Sequence, residues 1–403
     1  MSLVIDARER LKGQPGLHAF IVGISAYPYL PGEGHPDTPS ACGLRQLSSA
    51  ALTALKIARW LVDRRDHLAV PLTTCRLLIA ARPGEGVDEA SLKGQARLPT
   101  FAEFSAAAKE WRVDARSHRD NVTFFYFAGH GLKRMRGDHV LILQNFGDGV
   151  GGTLSAKAVN IRDLIDGMAP SVRQADIART QLYVFDACRT TPETFEEYQI
   201  MNVGAIWDVD PETLPDDRKR PLLFSAIPGT VAYADKEGTL FGTALLQSLK
   251  GGAGILLSDD GEDGEWGISL LALPRALNYH LGRINQIAGA DQNWEISSLS
   301  GELIIQRLDS PPPVDVRLRV FPPEAAATAC VSLRNVNNNE LIRDSIRLEP
   351  HPLDATIPAG HYVVEATVEP PTPAARISRV LDATPPFTDA SIWLKAAPPG
   401  VDR

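Results

Sequence analysis

A large α/β domain, with a mostly parallel sheet flanked by helices, followed by a small all-β sandwich is the architecture predicted for these 403 residues. Three observations predict it. Five short runs in the first three-quarters of the chain are almost continuously apolar, and segments of helical periodicity separate them. Beyond Asp309 the sequence changes to short β-type runs punctuated by Pro, Asn and Gly.

The five runs are Leu17–Ser25 (LHAFIVGIS), Thr74–Ala80 (TCRLLIA), Val122–Ala128 (VTFFYFA), Gln181–Asp186 (QLYVFD) and Pro221–Ala226 (PLLFSA). A strand with one wet face alternates. These do not, as expected when helices cover both faces of a parallel sheet. In Ser49–Val62, the residues Ala51, Ala54, Leu55, Ala58, Leu61 and Val62 share one helical face. Phe101–Trp111, Ile161–Met168, Leu240–Leu249 and Leu270–Leu281 are predicted as further helices, and Glu302–Gln306 as the strand that closes a domain spanning 1–308. Pro31–Gln46 and Gln199–Arg220 carry too much Pro, Gly and Asp to extend their neighbours and read as loops.

At Asp309–Val314 the sequence DSPPPV predicts a stiff, extended linker over 309–315. Val316–Val320, Ala329–Leu333, Tyr362–Val368, Ile377–Leu381 and Ser391–Leu394 then predict a small antiparallel sandwich over 316–403. Within it, Ile357–Val368 (IPAGHYVVEATV) resembles the turn and strand of immunoglobulin-like and transthyretin-like modules. No catalytic constellation falls here, so a docking or stabilising role is expected.

A net charge of −8 argues against broad nucleic-acid binding, which needs a basic field to displace counterions. The amino terminus has no apolar core like a signal peptide's, and no stretch approaches 18 apolar residues. Cys42, Cys75, Cys188 and Cys330 are scattered, with neither CxxC pairs nor metal-ligand spacing. A reduced, cytoplasmic protein without nucleic-acid or membrane partners is expected. The acidic run Ser258–Trp266 could suggest calcium. Counting Asp259 as the first position of an EF-hand loop puts Gly264 at the sixth, but Gly261 falls at the third and Leu270 at the twelfth. Two oxygen ligands are missing, so a solvated turn is expected, with no metal and no cofactor.

Two segments carry chemistry. In Phe127–Gly131 (FAGHG), His130 directly follows an apolar strand between two glycines. In Phe185–Thr190 (FDACRT), Cys188 follows another strand in the same manner. Ligands of open α/β sheets bind beyond the carboxyl ends of strands, so neighbouring strands would bring both groups to one rim. The separation of 188 − 130 = 58 residues leaves room for one crossover. A free thiol titrates near ~8.5 and attacks poorly while protonated; an adjacent imidazole can take its proton and later protonate a leaving amine. The backbone N–H groups of Gly131 and Cys188 are natural donors to the resulting oxyanion. On residue chemistry alone the alternative stands beside this: a small buried cysteine and a structural histidine.

AGHG and DACR, in this order and spacing, resemble the histidine and cysteine motifs of the caspase and metacaspase clan. Phe20–Tyr27 (FIVGISAY) resembles the first strand of bacterial caspase homologues, Ala51–Val62 the helix after it, and Phe224–Leu246 (FSAIPGTVAYADKEGTLFGTALL) the later strand, substrate-cleft loop and helix. The resemblance covers roughly residues 17–306 and implies a cysteine endopeptidase acting on protein or peptide substrates, with His130 and Cys188 catalytic. It further implies a place in bacterial stress, cell-death or defence pathways. A catalytically silent scaffold, whose terminal module binds a partner, is the alternative.

Caspases that cut after aspartate place glutamine two residues before the nucleophile; Asp186 stands there in this chain. Counting from Ser225 in the family's S-x-x-P-G pattern, the usual pocket arginine is replaced by Ala234. The resemblance to metacaspases therefore implies cleavage after Arg or Lys, with Asp186 at the pocket floor and Asp235 as a possible second carboxylate. Ser225 and Ala226 are expected beside the substrate backbone. Asp216–Pro221 (DDRKRP) sets Arg218, Lys219 and Arg220 in a polar linker. It reads either as a processing site, cut by the enzyme itself or by an activating protease, or as a solvated charge run.

Overall fold

The computed structural model describes residues 2–32, 43–87, 96–135, 138–148, 157–191, 203–208, 212–258, 264–323, 329–337, 339–347, 353–368 and 376–394. Two compact units divide the chain: Met1–Leu246 with Leu281–Gly301, and Gln247–His280 with Glu302–Arg403.

The first unit is built on a seven-stranded sheet. Its strands are β1 (Leu3–Asp6), β2 (Leu17–Ile24), β3 (Leu72–Ala80), β4 (Val122–Ala128), and, after a small side sheet of β5 (Gly131–Met135), β6 (Asp138–Ile142) and β7 (Ala158–Asn160), β8 (Thr180–Asp186) and β9 (Leu222–Phe224). The spatial order is β1-β3-β2-β4-β8-β9, completed by Glu295–Ser297. The five interior strands are mutually parallel, and both edge strands run antiparallel to their neighbours. Every residue of β2, β3 and β4 is buried, which is why these runs do not alternate.

Helix α1 (Ala50–Asp63) lies close against β2: a Cβ at Gly23 would come within 2.4 Å of Ala54 Cβ. Helix α2 (Phe101–Ala115) is capped by Thr100, whose side chain accepts from Glu103 N, and its Phe104 and Trp111 join Phe20 and Phe125 in an aromatic cluster. Helix α3 (Ile161–Asp166) starts at Asn160, which accepts from the amides of Arg162 and Asp163. Helix α4 is Leu240–Gln247, and the last predicted helix runs over Leu273–Ala288.

Two expectations need correction here. The strand predicted at Glu302–Gln306 is Ile304–Leu308 and pairs with Glu265–Ser269, outside the main sheet. The main sheet instead ends in Glu295–Ser297, only three residues long and half-buried, too short to give an apolar run. The proline-rich segment is partly strand: Pro313–Phe321 begins at the third proline, where a missing N–H removes nothing from the ladder. The acidic run falls largely on 259–263, outside the described residues.

In the second unit, Gly254–Ser258, Glu265–Ser269 and Ile304–Leu308 form a three-stranded sheet. Two further sheets share one apolar core that includes Val314, Val316, Leu318, Val331, Leu333, Tyr362, Val364 and Ile392. One orders Leu353–Pro358, Pro313–Phe321 and Phe387–Trp393; the other orders Leu341–Arg347, Ala329–Asn335, Gly360–Val368 and Arg376–Ala383. The sandwich is not wholly antiparallel, because its first and last strands, Pro313–Phe321 and Phe387–Trp393, pair in parallel.

Candidate active site

Strands β4 and β8 are neighbours in parallel register, with Ala128 opposite Asp186. His130 and Cys188 each follow that pair by two residues, so the two side chains leave the same rim at equal height, one strand apart. The two loops are then stitched together. Gly129 N donates to Asp186 O (3.3 Å), Lys133 N to Thr190 O (2.9 Å), and Leu132 bridges Thr190. The glycines around His130 are required by space: a Cβ on Gly131 would lie 2.5 Å from Cys188 O, and one on Gly129 2.9 Å from Tyr27 Oη.

His130 is held from three sides. Its amide donates to Tyr27 Oη (2.9 Å), the Tyr27 ring packs on the imidazole at 4.9 Å, and Nε2 donates to the carbonyl of Arg45 (2.6 Å). A carbonyl can only accept, so with the imidazole neutral Nε2 carries the hydrogen and Nδ1 the lone pair. Burial pushes the imidazole down to about 4, which keeps it neutral. The Arg45 carbonyl is set by Gln46. Its side chain accepts from Tyr27 N (2.8 Å) and donates to the carbonyls of Tyr27 (2.7 Å) and Leu30 (3.0 Å).

The Cys188 thiol is half-buried under the loop that follows β9. Sγ accepts from Ala232 N (3.2 Å), with Ala232 O at 3.9 Å. Burial pushes the thiol up, the Ala232 amide only partly offsetting it. Its neighbour Arg189 fixes the turn: the guanidinium lies over Phe224 at 4.2 Å and bonds to Glu295 Oε2 (2.5 Å), Ala226 O (3.3 Å) and His139 Nε2 (3.0 Å).

Asp186 is fully buried at the end of β8. Its Oδ2 accepts from Tyr126 Oη (2.8 Å) and Thr239 Oγ1, whereas Oδ1 is enclosed with no partner. Burial pushes this carboxyl up. Ser225 and Ala226 are both buried: Ser225 N donates to Phe185 O (2.9 Å), its carbonyl accepts from Gln292 Nε2 (2.7 Å), and Ala226 O accepts from Arg189. Gln292 also accepts from Tyr233 N (3.0 Å), tying down both ends of the loop over Cys188. Asp235 is exposed, and its carboxylate accepts from the amides of Glu237 (2.7 Å) and Gly238 (3.1 Å), closing its own turn. Helix α1 carries that turn: Ser49 Oγ donates to Asp235 O, Lys56 Nζ to Glu237 O, and Thr53 Oγ1 accepts from Thr239 N (2.8 Å).

The basic run at 218–220 is divided: Arg218 enters the fold, while Lys219 is exposed and Arg220 half-buried. Arg218 is buried; its guanidinium pairs with Asp216 (2.7 Å) and donates to Ile165 O (2.8 Å) and Gln181 Oε1 (3.1 Å). The backbone of Lys219 bridges Thr180, through Lys219 N to Arg179 O (2.7 Å) and Gln181 N to Lys219 O (2.9 Å). The satisfied guanidinium is what lets a charge run enter the fold.

Two contributors were invisible in the sequence. A backbone carbonyl such as that of Arg45 has no residue signature, and the hydroxyl of Tyr126 sits inside an apolar run. Among the described residues, no helix is long and apolar enough to cross a membrane.

The family model for the caspase domain matches residues 18–286. A curated relative, a probable protease from a Desulfuromonadales bacterium, is 29% identical over 213 residues, covering 51% of this chain. The chain spans only 24% of that protein's length. Among solved structures, a Geobacter sulfurreducens protein aligns at TM-score 0.39 with 12% identity over 70% of this chain and 93% of its own. Caspase-1 from Spodoptera frugiperda aligns at TM-score 0.41 with 9% identity, covering 73% of this chain and 93% of its own.

Proposed function

The chain belongs to the caspase-domain family, and from that premise we propose that it is a cysteine endopeptidase with Cys188 as nucleophile and His130 as general base and acid. The observation that carries the reading is the equal two-residue offset of both groups beyond the Ala128–Asp186 register pair.

Both partners rest uncharged, since burial lowers the imidazole and raises the thiol. Proton transfer therefore accompanies attack. Nδ1 of His130 takes the thiol proton as Sγ bonds to the scissile carbonyl carbon, and the amides of Gly131 and Cys188 receive the oxyanion. The protonated imidazole, held through Nε2 by the Arg45 carbonyl, gives its proton to the leaving amine as the C–N bond breaks. Water, deprotonated by His130, then hydrolyses the thioester and returns the thiol. Substrate entry lifts Ala232 from Sγ.

The substrates we infer are proteins or peptides cut after Arg or Lys, with Asp186 as the cation's partner and Ser225 and Ala226 along the substrate backbone. Supporting this, Asp186 is a buried carboxyl whose Oδ2 accepts from two hydroxyls and whose Oδ1 has no partner among the described residues. An arginine or lysine side chain supplies the missing charge. Asp235, committed to its own turn, contributes less. Processing at 218–220 would first require Arg218 to leave its buried site, so intact-mass analysis of wild type beside Cys188→Ala should find fragments only after this edge opens.

The test is a peptide panel with Arg, Lys or Asp before the scissile bond, applied to wild type, Cys188→Ala and Asp186→Asn, alongside an active-site thiol probe. Cys188→Ala should lose all cleavage, and Asp186→Asn should lose preference for the basic peptides. A probe that never labels Cys188 overturns the enzymatic reading in favour of a silent scaffold.

A further inference from the structure

An ionisable carboxyl enclosed without a counter-ion is expensive, and an enclosed oxygen lacking any donor more so. Asp186 has both features, while its second oxygen receives two hydroxyl donors. Tyr126 comes from β4, the strand that carries His130, and is fully buried. Thr239 comes from the foot of α4; its Oγ1 also accepts from Gly242 N (3.2 Å), and its amide donates to Thr53. These bonds fix the Thr239 hydroxyl independently of the carboxyl, and burial in β4 confines the Tyr126 ring.

We propose that Tyr126 and Thr239 are specificity-determining residues of the cleft. By both donating to Oδ2, they lock the Asp186 carboxyl in one rotamer and leave Oδ1 for the guanidinium or ammonium of the substrate. The inference rests on Asp186 being the partner of the basic side chain. Among the described residues, the Tyr126 phenol and the Cys188 thiol feel this carboxyl's charge, and no cation is among the chief influences on it. The substrate is therefore the positive charge that completes the site. Without the two donors the carboxyl is free to turn and harder to ionise, so recognition of a cation weakens and needs a higher pH.

Thr239→Val keeps shape and removes the donor; Thr239→Ser restores it; Tyr126→Phe removes the other. The readout is kcat/KM for an Arg peptide and for a peptide with a neutral residue at that position, across pH, with melting temperature as the check on folding. Thr239→Val and Tyr126→Phe should each lower the Arg-to-neutral ratio by about tenfold, the loss expected for one hydrogen bond to a charged group. The acid limb for the Arg peptide should move upward, and Thr239→Ser should recover both. If Asp186→Asn abolishes Arg preference but these variants leave ratio and limb unchanged while folded, the inference fails and the reading of Asp186 stands. If Asp186→Asn leaves Arg preference intact, both fail.

Discussion

Replacing Gly131 with alanine tests how closely the histidine and cysteine loops must approach. The added Cβ would sit 2.5 Å from the carbonyl oxygen of Cys188 and 2.9 Å from Ala187 Cβ. The first obstacle is backbone, which has no rotamer to move. Reaching ordinary contact at 3.4 Å demands a displacement of about 0.9 Å (3.4 − 2.5), and it must separate the chain carrying His130 from the chain carrying Cys188. A misplacement of about 1 Å between reacting groups costs on the order of 100-fold, equivalent to ~2.7 kcal/mol of barrier. Overpacking should also destabilise the protein by about 1–3 kcal/mol. The assay is kcat/KM on an Arg peptide with the melting temperature measured in parallel. Gly282→Ala, in the helix Leu273–Ala288, is the control, because an added Cβ there meets nothing within 4 Å. A folded Gly131→Ala protein within threefold of wild type would refute the close juxtaposition.

Gln46→Ala removes three hydrogen bonds to the backbone of Tyr27 and Leu30 that anchor the residue next to the Arg45 carbonyl. It should lower kcat about tenfold while KM stays nearly constant, and steady-state kinetics with an unchanged kcat would dismiss this positioning role. Acid should destabilise the fold. His18, His130 and His139 are each pushed down to about 4, chiefly by burial, so between pH 6.5 and 4 the unfolded chain binds more protons than the folded one. Their contribution is complete above about pH 6.5 and is lost as pH falls toward 4; at pH 5 His18 and His130 should each cost at most ~2 kcal/mol, and the less buried His139 less. Urea midpoints at pH 7.5 and 5 measure the loss, and His18→Gln should remove part of it, the share of one fully buried imidazole.

The parallel strands were legible because burial on both faces forces apolar residues at every position, as in LHAFIV at 17–22. The side-sheet strands β5 and β6 were not, since GLKRM and DHVLI mix basic and apolar residues without a clean period. His130 and Cys188 stood out because each follows an apolar run within a turn motif. What orients them did not: the Arg45 carbonyl is common to every residue type, and Gln46 is one polar residue in a loop. Arg218 misled for a related reason. A run of three basic residues suggests solvent, yet partners distant in sequence, Ile165 and Gln181, allow its first member inside.

The segment running from Arg45 through the first turns of α1 serves two masters. Its carbonyl at Arg45 aims the imidazole, while Ser49, Thr53 and Lys56 grip the Asp235–Thr239 turn whose last residue sits on Asp186. On the proposed mechanism, reaction rate and substrate choice therefore share one mechanical mount. An engineer who reshapes this helix to accept a new side chain will disturb the proton relay as well, and variants that widen specificity here should be found among the slow enzymes. Changes at Gln292 would act instead on the loop over Cys188, which it ties down at Ser225 and Tyr233.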